Sequence, residues 1–146
     1  MGKKRIITKS GGGKNNALRT RALSKSSSKK KKLEVGVLHI QATYNNTRVS
    51  LTNLKGDLFF SSSAGSLGYR GAKKGTPFAA SKVGEIVGEQ ALMSGVKKVQ
   101  VVVKGVGAGR ESAIRSFMTK GIEITSIKDT TPVPHNGPKP KKPRRV

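Results

Sequence analysis

The chain has 146 residues, with thirty Lys or Arg against seven Asp or Glu and a formal net charge of +23. That length allows one domain with tails, and so one-sided a charge predicts attraction to polyanions such as nucleic acid. The absence of cysteine excludes disulfides and thiolate chemistry, two histidines are too few for a His-rich metal cage, and no apolar run reaches the roughly 20 residues of a membrane span.

The first segment is a polybasic arm. Residues 1–32 hold twelve basic residues and no acidic one, with Gly11-Gly12-Gly13, Ser26-Ser27-Ser28 and a run from Lys29 to Lys32. So little apolar surface does not offset ordering entropy, and the arm is expected to be disordered when free. A mitochondrial presequence is the competing reading of a basic, Ser-containing, acid-free start, although the triple Gly and the polybasic close oppose an amphipathic helix. A secretory signal would need an apolar stretch that does not follow here.

Residues 33–133 carry all seven acids and read as a mixed α/β core. Leu33 to Thr43 is a strand with Leu38, Ile40 and Ala42 on one face. Thr47 to Thr52 alternates Val49 and Leu51 against Arg48, Ser50 and Thr52. Tyr44-Asn45-Asn46 between them suits a tight turn, because Asn tolerates left-handed backbone. Asp57 to Ser62, entered through Lys55-Gly56, is a third strand, and the three are expected to form an antiparallel meander.

The next loop, Ser63 to Gly75, packs four glycines, Arg70, Lys73, Lys74 and Tyr69 into thirteen positions. Glycines let backbone amides approach phosphates, the cations supply charge, and Tyr69 is placed to stack on a base. The loop leads to a helix N-terminus, itself an anion site, which favours phosphate binding over a merely solvated loop. That helix is capped by Thr76, starts at Pro77 and is expected to end near Ser94, before Gly95. Ala80, Gly84 and Gly88 give it a smooth stripe flanked by Val83 and Val87.

Val96 to Lys104 is almost continuously apolar, the pattern of a strand covered on both faces. Gly105-Val106-Gly107-Ala108-Gly109-Arg110 then stands where a dinucleotide fingerprint would, with Asp129 about the right distance downstream. Its third glycine comes one residue early and only one parallel crossover is available, so a two-lobed cofactor fold does not fit. The same geometry suits an RNA phosphate, with Arg110 and Arg115 nearby. Gly109 to Lys120 is the second helix, burying Ile114, Phe117 and Met118. Ile122 to Ile127 is the last strand, parallel to its predecessor through a right-handed crossover. The order is β-β-β-α-β-α-β, a five-stranded mixed sheet.

Residues 134–146 close the chain as a second basic tail. Five of the six prolines fall from Pro132 onward and alternate with Lys139, Lys141, Lys142, Arg144 and Arg145. This favours an extended, polyproline-like tail without fixed structure when free.

The strand order is similar to the ribonuclease H topology, which raises the possibility of a nuclease. Two-metal hydrolysis needs several carboxylates converging on one point. Glu85 and Glu89 share a helix face beside Lys82 and read as surface charges; the first strand interior has no acid. His39 is read as a packing or RNA-contact residue, and His135 lies outside the core. No catalytic, cofactor or metal site is expected. An RNA-processing enzyme on this scaffold would show metal-dependent cleavage. A free polycationic chaperone or membrane-surface binder would show little discrimination between RNAs.

Tyr44-Asn45-Asn46-Thr47, Ser62-Ser63-Ala64-Gly65, Gly75-Thr76-Pro77-Phe78-Ala79-Ala80, Gly107-Ala108-Gly109-Arg110-Glu111 and Thr131-Pro132-Val133-Pro134-His135-Asn136-Gly137 stand in one order. Together they resemble the signatures of the small-subunit ribosomal protein eleven family, bacterial or organellar type, from about Leu33 to Val146. Val106 stands where that family usually has Pro, and Pro138 where Cys is common. The resemblance implies a non-catalytic protein on a ribonuclease H-like scaffold that binds ribosomal RNA on the small-subunit platform, near the messenger RNA exit path. It implies small-subunit proteins seven and eighteen as neighbours and a ribosome in the cytoplasm or, alternatively, in an organelle matrix. The RNA-binding set expected from charge and resemblance is Asn45, Asn46, Arg70, Lys73, Lys74, Arg110, Arg115, His135, Asn136, Lys139, Lys141, Lys142, Arg144 and Arg145.

Overall fold

The computed structural model of the chain describes residues 33–142. The N-terminal arm, and Arg144 and Arg145 at the other end, lie outside the described residues. Within them the chain forms β1 (Val35–Ala42), β2 (Thr47–Thr52), β3 (Leu58–Ser63), α1 (Pro77–Met93), β4 (Lys98–Lys104), α2 (Gly109–Met118) and β5 (Glu123–Asp129). A short 3-10 turn, Gly71–Gly75, interrupts the loop before α1, where the sequence pattern gave only irregular chain.

The five strands lie in the order β3-β2-β1-β4-β5. β1 and β2 pair antiparallel, as do β2 and β3, which is the expected meander. β4 lies parallel to both β1 and β5. Both helix-containing crossovers, β3 to β4 and β4 to β5, travel in the same direction across the sheet. Right-handed connections that travel the same way put their helices on the same face. α1 and α2 therefore share one layer, and among the described residues nothing covers the opposite face of the sheet.

This corrects the reading of β4 as a strand covered on both faces. Val99, Val101 and Val103 are buried under the helices, whereas Lys98, Gln100 and Lys104 are exposed and Val102 is half-buried. An apolar run signals burial on average; only the topology decides which face receives it.

Leu38, Ile40, Val49 and Leu51 meet Val83, Val87, Ala113 and Phe117 in the core beneath the helices. Thr76 caps α1 as expected, its hydroxyl accepting from the Ala79 amide at 3.3 Å, and Gly95 ends the helix with φ +83°. The smooth stripe of α1 is where α2 packs. A Cβ on Gly84 would lie 2.2 Å from Ser116 Oγ, so only glycine allows this approach. Because contact runs through Ala113, Ser116 and Phe117, Met118 is 51% exposed rather than buried, and Ile114 is half-buried.

Candidate nucleic-acid interface

The strand directions gather every distinctive loop at one end of the sheet. β1, β3, β4 and β5 all end there, β2 begins there, and both helices start there. Two helix N-termini thus present the positive ends of their dipoles on the same side. Glu34, Asp57 and Glu123 fall at the opposite end, before β1, in the β2–β3 turn and at the start of β5. Charge in the core is therefore polarised along the strands.

The turn between β1 and β2 is the hub of this end. It closes by the Thr43 amide donating to the Asn46 carbonyl at 2.9 Å and the Asn46 amide to Thr43 Oγ1 at 3.1 Å. Neither Asn45 nor Asn46 adopts positive φ, which corrects the expected left-handed turn; the Thr43 hydroxyl organises it instead. Asn46 reaches across to the glycine loop, its Oδ1 accepting from the Gly65 amide at 3.3 Å. Two further loops close on the same turn. A Cβ on Gly75 would lie 2.1 Å from the Tyr44 carbonyl oxygen, and one on Gly107 would lie 2.3 Å from that of Thr43. The glycines hold the loops together at least as much as they open backbone to a ligand.

On this frame Asn45, Arg70 and Lys73 are exposed and Lys74 is half-buried, its stem lying along Gly65. Asn46 is half-buried and committed to the hub. Tyr69, expected to stack on a base, is half-buried with its ring edge-on to Phe78, centroids 6.4 Å apart at 89°. Tyr44 is the aromatic that stands free, 80% exposed at the tip of the hub turn. Its place in a turn, where an aromatic has no core to enter, was the signal that sequence reasoning passed over.

Arg110 and Arg115 have partners within the chain. Arg115 pairs with Glu111 one turn away on α2. Arg110 donates to the Gly105 carbonyl at 2.7 Å and pairs with the Asp129 carboxylate, tying the β4–α2 loop to the end of β5. The acid that stood at dinucleotide spacing is thus a clamp for Arg110. Thr131 completes the clamp: its hydroxyl and amide donate to Asp129 Oδ1 at 2.6 and 2.8 Å. These bonds from Thr131, with the Arg110 guanidinium, lower the Asp129 pKa from 3.8 to about 2. A carboxylate depressed on folding contributes stability that is present above its unfolded value and lost as pH falls through its folded value. The stability gap between the wild-type chain and Asp129→Asn should therefore be constant above about pH 5 and close as pH falls towards about 2. Urea midpoints across that range check this, and a gap unchanged down to pH 2 would remove the clamp.

The tail leaves from this end. Thr131 Oγ1 accepts from the Gly105 amide at 3.1 Å. Residues 132–142, which include His135, Asn136, Lys139, Lys141 and Lys142, are exposed throughout. Asn136 has φ +56°, the one non-glycine positive φ among the described residues. Among the described residues no contact brings the tail cations against the loop cations; what they share is the end of the sheet from which they extend.

Glu85 pairs with Lys82 and Glu89 with Lys120, at 3.1 and 3.2 Å. Among the described residues no group of three His, Asp or Glu side chains is arranged to hold a metal. His39 donates to or accepts from Thr52 Oγ1 at 3.2 Å on the uncovered sheet face.

Residues 36–145 match the family described as Ribosomal protein S11. The chain is also 58% identical over 111 residues to the small ribosomal subunit protein uS11c of Trieres chinensis, covering 76% of this chain and 85% of that one. The family match begins within β1 and runs through both helices and β5. The chain belongs to the ribosomal protein S11 family.

Proposed function

We propose that the chain grips ribosomal RNA with the carboxyl end of its sheet and with the basic tail that extends from it. As a member of its family the protein is a structural, non-enzymatic constituent of the small ribosomal subunit, with ribosomal RNA and other small-subunit proteins as partners. The observation that supports the proposed grip is the convergence of the hub turn, two glycine-rich loops, both helix N-termini and the tail at one end, with most acids elsewhere. Helix N-termini and cationic loops bind phosphate, and phosphate contacts set the register of a protein on its nucleic acid.

In this reading Arg70, Lys73 and Lys74 meet phosphates from the first loop, and Asn45 contacts RNA from the hub. Arg115 presents its charge from α2, while Arg110 and Asn46 act mainly by holding the loops in place. His135, Asn136, Lys139, Lys141 and Lys142 follow the RNA along the tail, and Arg144 and Arg145 extend the same charge. The family resemblance points to the subunit platform near the messenger RNA exit path, beside proteins seven and eighteen. The designation uS11c of the relative favours an organellar ribosome over a cytoplasmic one.

Replacing Arg70, Lys73 and Lys74 by Ala is expected to flatten the dependence of log affinity on log salt by about two units, since each neutralised phosphate adds about 0.7 to 0.9. Filter binding to a platform RNA transcript over a range of salt measures it. An unchanged slope would show that the loop stays solvated in the complex.

A further inference from the structure

We propose that the sheet face turned away from the helices is a second RNA-binding surface, adjoining the loop end and charged by Arg48, Lys104 and Lys128. The inference rests on the reading of the protein as a ribosomal RNA binder. Its origin is topological: two crossovers running the same way put both helices on one face, and among the described residues the other face of the five strands has no covering layer. A largely apolar face would call for a protein partner; here Val35, Val37, Leu58 and Val102 are outnumbered by polar and charged strand residues.

The pairing register shows what the face presents. Arg48 sits opposite Gln41, and Gln41 opposite Lys104, so one row across β2, β1 and β4 reads Arg-Gln-Lys. The next row reads Ser50, His39, Val102 and Lys128 across β2, β1, β4 and β5. Neighbouring strands lie about 4.8 Å apart and same-face residues along a strand roughly 6.7 Å apart, so the three cations span a flat patch wider than one strand pair. Arg48, Lys104 and Lys128 are exposed, and none has a carboxylate partner among the described residues.

The one acid among the strand residues of this face, Glu123, lies at its far edge and pairs with Lys98 at 3.5 Å. Between the cations stand an imidazole, an amide and hydroxyls, groups that hydrogen-bond phosphate and ribose oxygens. Cores of protein–protein interfaces are depleted in charge, whereas interfaces with nucleic acid are polar and cationic. The composition of the face fits RNA backbone. Arg48 on β2 and Lys104 on β4 alternate along their strands with the core residues Val49 and Val103.

The test uses the full chain and a small-subunit ribosomal RNA transcript as probe. Three variants are compared: R48A/K104A/K128A, the loop triple R70A/K73A/K74A, and K55A/K97A, which removes exposed cations from the other end of the sheet. The sheet triple should bind about tenfold more weakly near physiological salt and flatten the salt slope by about two units. K55A/K97A should leave the slope unchanged. Acetylation of lysines in the complex should spare Lys104 and Lys128 and still modify Lys55 and Lys97. If the loop triple weakens binding while the sheet triple matches the wild-type chain, this inference fails and the loop grip stands. If neither triple changes affinity, the reading beneath both fails. Lys104 and Lys128 left reactive on the transcript but protected in whole small subunits would mean that a protein covers the face, which also overturns the proposal.

Discussion

A chain ended at Val133 is expected to keep its folded core and to bind platform RNA at least about tenfold more weakly at near-physiological salt, a loss of about 1.4 kcal/mol. The last residue tied to the core by hydrogen bonds is Thr131, through Gly105 and Asp129. Beyond it residues 132–142 are exposed, so their removal takes nothing from the sheet or the helices. What goes with them is charge: Lys139, Lys141, Lys142, Arg144 and Arg145. Proline limits the conformations of the unbound tail, so docking it sacrifices less entropy than docking a Gly/Ser tail would. Circular dichroism and thermal melting check the core, and filter binding checks the affinity. Equal affinity with and without the tail would overturn its role, and a core that no longer folds would make His135 onward structural.

Gly105→Ala should destabilise the core by roughly 3 kcal/mol or more, the sum of a strained backbone and an overpacked contact. Gly105 has φ +105°, and a Cβ there would lie 2.1 Å from the Ala42 carbonyl oxygen at the end of β1. Its amide and carbonyl are both used, by Thr131 and Arg110, so the loop is held from either side and cannot swing away. Gly56 provides the control. It has φ +95° in the β2–β3 turn, yet a Cβ there meets nothing within 4 Å. Gly56→Ala should cost only about 1 kcal/mol, the backbone contribution alone. A stability of about 5–15 kcal/mol makes the difference easy to read in urea midpoints. Equal losses at the two positions would mean that the hub is looser than its close contacts indicate. The Gly105 variant should also bind RNA less well if the loops it anchors carry the proposed interface.

Much of the architecture was legible in the residues. Alternation in Thr47–Thr52 placed Val49 and Leu51 inside, Thr76-Pro77 marked the start of α1, and the Ala80, Gly84, Gly88 stripe marked a close helix contact. These are local signals, set by side-chain period and capping, and they survive into the fold because nothing in the tertiary structure opposes them. Charge and glycine content identified an RNA-binding protein, and the order of its motifs identified its family.

The sequence could not say which cations are free. Arg110 reads as a phosphate ligand until Asp129 and Thr131, nineteen and more residues away, are folded against it. Tyr69 reads as a stacking aromatic until Phe78 meets its ring, while Tyr44 is left exposed. In β4, by contrast, the alternation of Lys98, Gln100 and Lys104 with Val99, Val101 and Val103 already marked one buried face, and only Val102 obscured it. The places of Arg110 and Tyr69 depend on contacts between residues far apart in the chain, and that of the two helices on the handedness of two crossovers that share a direction. Composition determined that this protein seeks polyanions; the packing of both helices on one face decided which surfaces it presents to them.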